Sequence, residues 1–220
     1  MAKDEKVSRR KFLKITAGAL GAGAVLCGGS AWFGLRAPAS VPFPRSSCPY
    51  SAGGRLLVAY ASKCGATAEI ADRMAQDLCS GGFQADLRSA DQVRDLADYR
   101  AVILGTAIYM GRPLAAAGKF VERLLAPRPD LPLALFSVSL TMKENTPANR
   151  EAALSNLESL TGQVSPRVLG LFPGRIDFDT LPPLYRMFAR ADSEGTLAEG
   201  DYRDWDEIDR WAREAQQQIL

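Results

Sequence analysis

The 220-residue chain has no histidine and only four cysteines, Cys27, Cys48, Cys64 and Cys79. The lack of histidine excludes a Ser-His-Asp triad, proton transfer through imidazole and every metal site that needs a histidine ligand. Four cysteines are too few for a disulfide scaffold, and no two have the C-x-x-C spacing typical of zinc sites. The Walker sequence G-x-x-x-x-G-K-[ST] is also missing, so a P-loop nucleotide site is not expected.

The composition, 47% hydrophobic and 24% charged, is that of a globular domain with its own core. The net charge of +2, from 27 basic and 25 acidic residues, gives no overall electrostatic reason to bind nucleic acid. This average hides an asymmetry, because residues 1–36 carry seven of the basic residues and two of the acidic ones. Residues 37–220 keep 20 basic and 23 acidic residues, so a segment of +5 precedes a domain of −3.

Residues 1–39 are organised like an export signal. The stretch Ser8-Arg-Arg-Lys-Phe-Leu-Lys14 resembles the bacterial twin-arginine signal at every position of the S-R-R-x-F-L-K consensus. A run of 21 uncharged residues follows at 15–35, and six glycines and five alanines make it only weakly apolar. The resemblance implies that the twin-arginine translocation machinery exports the folded protein across the bacterial cytoplasmic membrane, commonly with a cofactor already loaded.

Two outcomes of export stay open. Cleavage after Ala39 would give a periplasmic protein, whereas an uncleaved segment 1–39 would anchor it to the outer face of the membrane. Leu26 in front of Cys27 disfavours lipidation, since a small residue is normally required there. Residues 40–54, rich in Pro, Ser and Gly, are predicted to be a linker to a domain that covers 55–220.

Beyond the linker, apolar runs alternate with helical patterns, which is typical of a parallel sheet with connecting helices. The predicted strands are Arg55–Ala61, Ala85–Arg88, Ala101–Thr106, Leu131–Ser139 and Arg167–Phe172. The first predicted helix is capped by Thr67 and stopped by Gly81-Gly82, and the others cover Pro113–Leu125, Pro147–Leu160 and Tyr202–Ile219. This alternation favours a doubly wound α/β fold.

A short polar loop, Ser62-Lys-Cys-Gly-Ala-Thr67, joins the first strand to the first helix. Ligand sites of open parallel sheets lie at the carboxyl ends of the strands. Backbone N–H groups and the start of the helix would bind a phosphate there, while the Ser62 and Thr67 hydroxyls donate hydrogen bonds and Gly65 allows a tight turn. Lys63 would add attraction or point to solvent. A plain turn with a helix cap is the alternative.

Several motifs together extend this interpretation. Tyr60-Ala-Ser-Lys-Cys-Gly-Ala-Thr67 resembles the FMN phosphate loop of flavodoxins, with its [ST]-x-[ST]-G-x-T core. Gly105–Arg112 is similar to the second flavin loop of the menaquinone-dependent protoporphyrinogen IX dehydrogenases, a flavodoxin-like family, and Phe136–Leu140 to their loop after strand four. Residues 177–199 stand where that family carries a long insertion. The resemblance covers about residues 55–217.

The resemblance implies a flavodoxin-like, doubly wound, five-stranded parallel sheet in the strand order 2-1-3-4-5, with FMN as the cofactor. The residues that it assigns to FMN are Ser62, Lys63, Cys64, Gly65, Ala66 and Thr67 at the phosphate, Thr106, Ala107, Ile108, Tyr109, Met110 and Gly111 along one side of the flavin ring, and Ser139, Leu140 and Thr141 on the other. Tyr109 is expected to stack on the flavin. Met110 and Arg112 depart from the family's second loop, which leaves the substrate undefined.

Three functions are compatible with this assignment. The first is an FMN-dependent oxidoreductase that transfers electrons between a small organic donor and a quinone. The second is a non-catalytic electron carrier of flavodoxin type between protein partners, and the third is a flavin-free binding module with the same fold. No side-chain acid or base is required for any of them.

Two further features carry predictions with open alternatives. The insertion 177–199 combines apolar residues with arginines, so it would either contact a membrane or quinone or dock its apolar residues on the sheet. Cys64, at the start of a helix, is either a reactive thiol with a lowered pKa or a small residue buried by the flavin phosphate. A disulfide between Cys48 and Cys79 is conceivable in an oxidising compartment, but nothing in the sequence requires it.

Overall fold

The computed structural model describes residue 41 and residues 43–48, 54–191 and 197–220. They belong to one compact unit, Ala37–Leu220. The predicted export signal 1–39, and with it the question of its cleavage, lies outside the described residues. Among the helices in the described part of the chain, none is sufficiently long and apolar to cross a membrane.

Most of the strands lie in one sheet. The strands are β1 Ser46–Ser47, β2 Arg55–Ala61, β3 Gln84–Ser89, β4 Ala101–Tyr109, β5 Arg112–Pro113, β6 Leu133–Val138, β7 Val168–Phe172, β8 Arg175–Ile176 and β9 Gly200–Asp201. The helices are α1 Ala66–Ser80, α2 Ala115–Phe120, α3 Pro147–Ser155, α4 Glu158–Thr161, α5 Pro183–Ala191 and α6 Trp205–Ile219. A π-helical turn, Val121–Leu125, continues α2, and a 3₁₀ turn, Leu140–Lys143, follows β6.

Five parallel strands form the centre of the sheet, in the order β3-β2-β4-β6-β7. Numbered among themselves, they follow the order 2-1-3-4-5. Ala61 lies opposite Thr106, and Thr106 lies opposite Ser137, so the carboxyl ends of β2, β4 and β6 meet at one edge. The predicted fold class, an α/β protein with a mostly parallel sheet, is therefore confirmed.

Helices cover both faces of this sheet, which explains why the strands are apolar almost throughout. One face packs against α1 and α6 through Ile70, Met74, Leu78, Ile208, Trp211 and Ile219. The other face packs against α2, α3 and α4 through Phe120, Val121, Leu125, Ala153, Leu157 and Leu160. Each fully buried Leu, Ile, Val, Phe or Met side chain contributes roughly 1.5–3 kcal/mol through removal from water. The sheet is thus covered on both faces, which leaves the loops at the ends of its strands as the places for a site.

The sheet also contains two short strands that the sequence pattern does not reveal. β1 pairs antiparallel with β3, with Ser46 opposite Leu87 and Ser47 opposite Asp86. It lies inside the segment 40–54 that is predicted as a linker, so this segment contributes an edge strand. β5 pairs antiparallel with β4 and turns the end of β4 into a hairpin. Two residues are too few to give a hydrophobic alternation.

The observed helices differ from the predicted ones mainly at their ends, where capping residues and turns determine the first and last residue. The predicted cap Thr67 is wrong, because Gly65 is the N-cap of α1 and Thr67 is buried within its first turn. The predicted helix 147–160 is interrupted between α3 and α4. α6 begins at Trp205 because the Asp204 side chain accepts a hydrogen bond from the Glu207 N–H.

A disulfide joins Cys48, directly after β1, to Cys79 in the last turn of α1, with 5.8 Å between the α-carbons. This answers the question that the sequence leaves open. Cys64 is a free thiol.

Candidate functional site

The loop between β2 and α1 has the backbone of an anion-binding turn. Gly65 has a φ of 91°, which only glycine adopts readily, and its N–H donates to Ser62 Oγ at 3.1 Å. The Gly65 carbonyl accepts from the Glu69 N–H at 3.0 Å and starts the helix. The positive end of the 15-residue helix α1 therefore faces the loop, as in phosphate sites.

The second predicted loop is the hairpin that extends β4. Thr106 is fully buried, and its hydroxyl donates to the Ala107 carbonyl at 3.1 Å and accepts from the Leu114 N–H at 3.3 Å. Met110 and Gly111 both have positive φ, 53° and 75°, as the tight primed turns of β-hairpins require. Met110 is 61% exposed, so an apolar side chain projects from the tip.

The third predicted loop, Ser139, Leu140 and Thr141, follows β6. The Ser139 N–H donates to the Phe172 carbonyl at 3.0 Å, whereas Ser139 Oγ is buried without a hydrogen-bond partner. Ser137 Oγ is also buried and without a partner, and Ser137 lies beside Thr106 in the sheet. A buried hydroxyl normally has a hydrogen-bond partner. Two buried hydroxyls without a partner at this edge of the sheet therefore indicate a position for a polar ligand.

Ser137 is the residue of this site that the sequence prediction omits. A signal was available, because Ser137 and Ser139 alternate in an otherwise apolar strand and side chains two residues apart share a face.

Tyr109 lies between the first loop and the insertion. The Lys63 ammonium stands over the Tyr109 ring, 3.9 Å from its centre, and Tyr185 of α5 meets Tyr109 edge-on at 5.3 Å between ring centres. A cation over an aromatic face contributes roughly 0.5–2 kcal/mol. Lys63 is therefore half-buried against Tyr109 rather than extended into solvent. The stacking of Tyr109 on a flavin stays a prediction.

Burial governs the ionisable groups of this cluster. It lowers the pKa of Lys63 and raises the pKa of Tyr109, to which Tyr185 adds. Burial also raises the pKa of the Cys64 thiol, more than the nearby Lys63 lowers it, and Asp177 adds to the rise. Of the two alternatives for Cys64, the reactive thiol with a lowered pKa is therefore wrong. A thiol with a raised pKa is neutral near pH 7 and a poor nucleophile.

The first turn of α1 carries an ion-pair network that links it to β8 and β9. Glu69 pairs with Arg175 at 2.9 Å and with Arg203 at 2.7 Å, and Arg203 pairs in turn with Asp201. The Arg203 side chain is only 3% exposed. These residues are 106 and 134 positions from Glu69, so no local pattern could have indicated the network.

Insertion residues 177–191 and 197–199 are described, and part of them docks on the domain. Tyr185 packs on Tyr109 and Ala189 is buried, whereas Leu184 and Met187 are exposed. The described part of the chain contains no group of three or more acidic or cysteine side chains that could hold a metal ion.

The structure brings together the three predicted loops at one edge of a doubly wound sheet. This arrangement defines the class of α/β proteins that bind ligands where parallel strands end. The chain belongs to the flavodoxin domain family, whose sequence pattern matches residues 57–192.

Individual proteins also resemble this chain. The protoporphyrinogen IX dehydrogenase (quinone) of Escherichia coli strain K12 is 25% identical over 175 residues, which cover 73% of this chain and 93% of the relative. The oxidised flavodoxin 1 of Bacillus cereus is 14% identical, with a TM-score of 0.47 over 76% of this chain and 99% of that structure. A flavoprotein of Lactobacillus acidophilus in complex with FMN is 13% identical, with a TM-score of 0.40 over 54% of this chain and 93% of that structure.

Proposed function

We propose that this chain is an exported, FMN-binding oxidoreductase that passes electrons between a small organic donor and a quinone. The observation that carries the proposal is the meeting of three loops at the carboxyl edge, with the positive-φ Gly65 turn in the first of them. The similarity to protoporphyrinogen IX dehydrogenase supports the quinone as the electron partner.

The residues of the site fit FMN. Backbone N–H groups of the turn at Gly65 and the start of α1 are available to bind a phosphate. Ser62 Oγ stabilises this turn because it accepts a hydrogen bond from the Gly65 N–H. The vacant hydroxyls of Ser137 and Ser139 are available to polar atoms of a ring bound between the second and third loops. Bound FMN would supply the redox chemistry itself.

The protein's own contribution is to bind, to orient and to exclude water. The hairpin tip at Met110 and the exposed Leu140 and Met187 give this edge an apolar margin, which suits an apolar electron partner such as a quinone. The positive charge of Lys63, which lies over the Tyr109 ring, favours negative charge nearby. No acid or base is needed at the site.

Export and membrane contact belong to the same proposal. The twin-arginine motif in 1–39 supports transport after cofactor loading, and a periplasmic or outer-face location then weighs against a role in haem synthesis. The signal segment, or residues 177–199 through Leu184 and Met187, would provide the membrane contact.

The first experiment purifies the full chain and records its visible spectrum before and after addition of FMN. We expect a flavin spectrum and saturable binding. A colourless protein that takes up no FMN would contradict the proposal and leave a flavin-free binding module.

The second experiment measures anaerobic turnover of a reduced organic dye with a soluble menaquinone analogue. An enzyme shows a rate that saturates with the quinone concentration. A flavodoxin-type carrier would bind FMN, but its turnover rate would show no saturable dependence on the quinone concentration. This result would contradict the oxidoreductase function and favour the electron carrier.

A further inference from the structure

The segment before β2 forms a strap, which we define as Val41 together with residues 43–48. It runs antiparallel to β3 through the pairs of Ser46 and Ser47, and the Tyr60 hydroxyl donates to the Pro44 carbonyl at 2.8 Å. Arg88 donates to the Ser46 carbonyl at 2.9 Å. The strap is thus tied along its length, and its Val41 end lies at the carboxyl edge of the sheet.

Val41 covers the turn that the proposed function assigns to the phosphate. Its side chain is 5% exposed, and its Cγ1 atom lies 3.3 Å from the point that a Cβ on Gly65 would occupy. The strap therefore adds a wall to the cofactor site from outside the matched family region, 57–192. An apolar wall of this kind shields backbone N–H groups from competing water.

The opposite end of the strap is held covalently. Cys48 is bonded to Cys79 in the last turn of α1, and the first turn of the same helix begins at Gly65. Strap and helix are therefore joined at both ends, by a disulfide at one and by the Val41 contact at the other. Opening the disulfide would leave the strap held by hydrogen bonds to β3, Tyr60 and Arg88 alone, so its Val41 end would be held less firmly against the loop.

We propose that the strap retains the cofactor, and that the Cys48–Cys79 disulfide locks it once the protein has left the cytoplasm. This proposal rests on the proposed function. In the reducing cytoplasm both thiols stay free and FMN enters. After export, a disulfide-bearing oxidant accepts two electrons and two protons from the thiols, so one S–S bond forms in the chain and the oxidant's S–S bond becomes two thiols.

The test measures the rate of FMN release from the full chain, followed by flavin fluorescence after dilution into an excess of a flavin-scavenging protein. The oxidised chain is compared with the chain reduced by a phosphine. We expect reduction to accelerate release on the order of tenfold, because a preorganised wall is exchanged for a mobile one. The double variant Cys48→Ser/Cys79→Ser should release FMN equally fast and should not respond to the reductant.

A variant with the disulfide intact removes any ambiguity from partial unfolding. Val41→Ser should accelerate release in the oxidised protein, whereas Phe43→Ser, a change on the same strap at a 44% exposed side chain, should not. Release that is unaffected by Val41→Ser, or that becomes slower, would overturn the retention role. Equal rates in the oxidised and reduced chains would overturn the lock, while failure of every form to bind FMN would overturn the proposed function instead.

Discussion

At the scale of single residues, four glycines divide into two matched pairs. Gly65 and Gly82 flank α1, and both have a positive φ, 91° and 84°. Gly105 in β4 and Gly118 in α2 have ordinary backbone angles, but a Cβ would meet very different surroundings at the two positions. Comparing alanine variants at the two glycines of a pair therefore separates the effect of alanine on the local backbone from its effect on FMN binding or core packing.

The first pair tests the phosphate loop. Gly65→Ala and Gly82→Ala should each destabilise the fold by about 1–2 kcal/mol because alanine resists a positive φ, and Gly65→Ala somewhat more because its Cβ would lie 3.3 Å from Val41 Cγ1. Only Gly65→Ala should also weaken FMN binding, on the order of tenfold, equivalent to about 1.4 kcal/mol. Fluorescence titration measures the affinity, and equal affinities of the two variants would show that the loop does not hold the phosphate.

The second pair tests core packing. A Cβ on Gly105 would lie 2.1 Å from Phe136 Cζ, so Gly105→Ala should reduce the free energy of unfolding by about 1–3 kcal/mol or more. A Cβ on Gly118 would meet nothing within 4 Å, and Gly118→Ala should stabilise the helix by about 1 kcal/mol. Urea unfolding of both variants measures this contrast, which a similar change in both would contradict.

At the scale of elements, one buried carboxylate holds the edge of the sheet. Asp86 in β3 is fully buried and accepts from Arg55 at 2.6 Å and from the Tyr99 hydroxyl at 2.8 Å. Burial by itself would raise the pKa of Asp86, but hydrogen bonds from Ser47 and Tyr99 and the charges of the neighbouring arginines lower it below its usual value. The charged form is therefore part of the native structure.

This carboxylate predicts a pH dependence of stability. Because the pKa of folded Asp86 lies below its unfolded value, the stabilisation is complete above the unfolded pKa and is lost as the pH falls through the folded one. Asp86→Asn should cost about 3 kcal/mol at neutral pH and less near pH 3. Asp98→Asn removes an exposed partner of the same Arg55 and should cost less than about 1 kcal/mol. Urea unfolding at neutral pH and near pH 3 measures the loss of stability in each variant. A loss for Asp86→Asn that is the same at both pH values would contradict the predicted pH dependence.

The long elements were predictable from sequence, and the short ones were not. β2 spans Arg55–Ala61 as predicted, because a run of seven residues in a covered strand has a clear apolar signature. β1 and β5 have two residues each and depend on neighbouring strands. For α5, Pro183–Ala191, the sequence indicates only a segment that combines apolar residues with arginines, because the position of the helix depends on the contact of Tyr185 with Tyr109.

The same holds for the site: features set by a short sequence motif were predictable, whereas features set by distant residues were not. The turn at Gly65 and the hydroxyl of Ser62 belong to one short motif, so the sequence was sufficient to place a loop there. Three other features depend on burial by segments that are distant in sequence. They are the position of Lys63 over Tyr109, the contact of Val41 with Gly65 and the raised pKa of Cys64. Burial of this kind is a property of the tertiary structure.

At the scale of the whole molecule, the disulfide makes a further contribution to stability. It joins residues 31 positions apart, and the loop entropy removed from the unfolded chain corresponds to about 4 kcal/mol. Reduction should therefore lower the free energy of unfolding by up to about this amount. Urea unfolding with and without a phosphine measures it.

A cysteine variant provides the control for this loss. Cys64→Ser keeps the disulfide and should respond to reduction as the unchanged chain does, whereas Cys48→Ser/Cys79→Ser should not respond. A response of the double variant would mean that the reductant acts through another group.

The same bond also makes β2, the Gly65 turn and most of α1 part of a closed covalent ring, from Cys48 to Cys79. A pulling force applied to the amino terminus passes through the sulfur atoms to the end of α1 and bypasses the ring. A protease that threads substrates from that terminus would therefore meet a branched chain at Cys48, and a single cut inside the ring would release no fragment. The phosphate loop, Ser62–Thr67, is thereby insulated from mechanical load on the terminus.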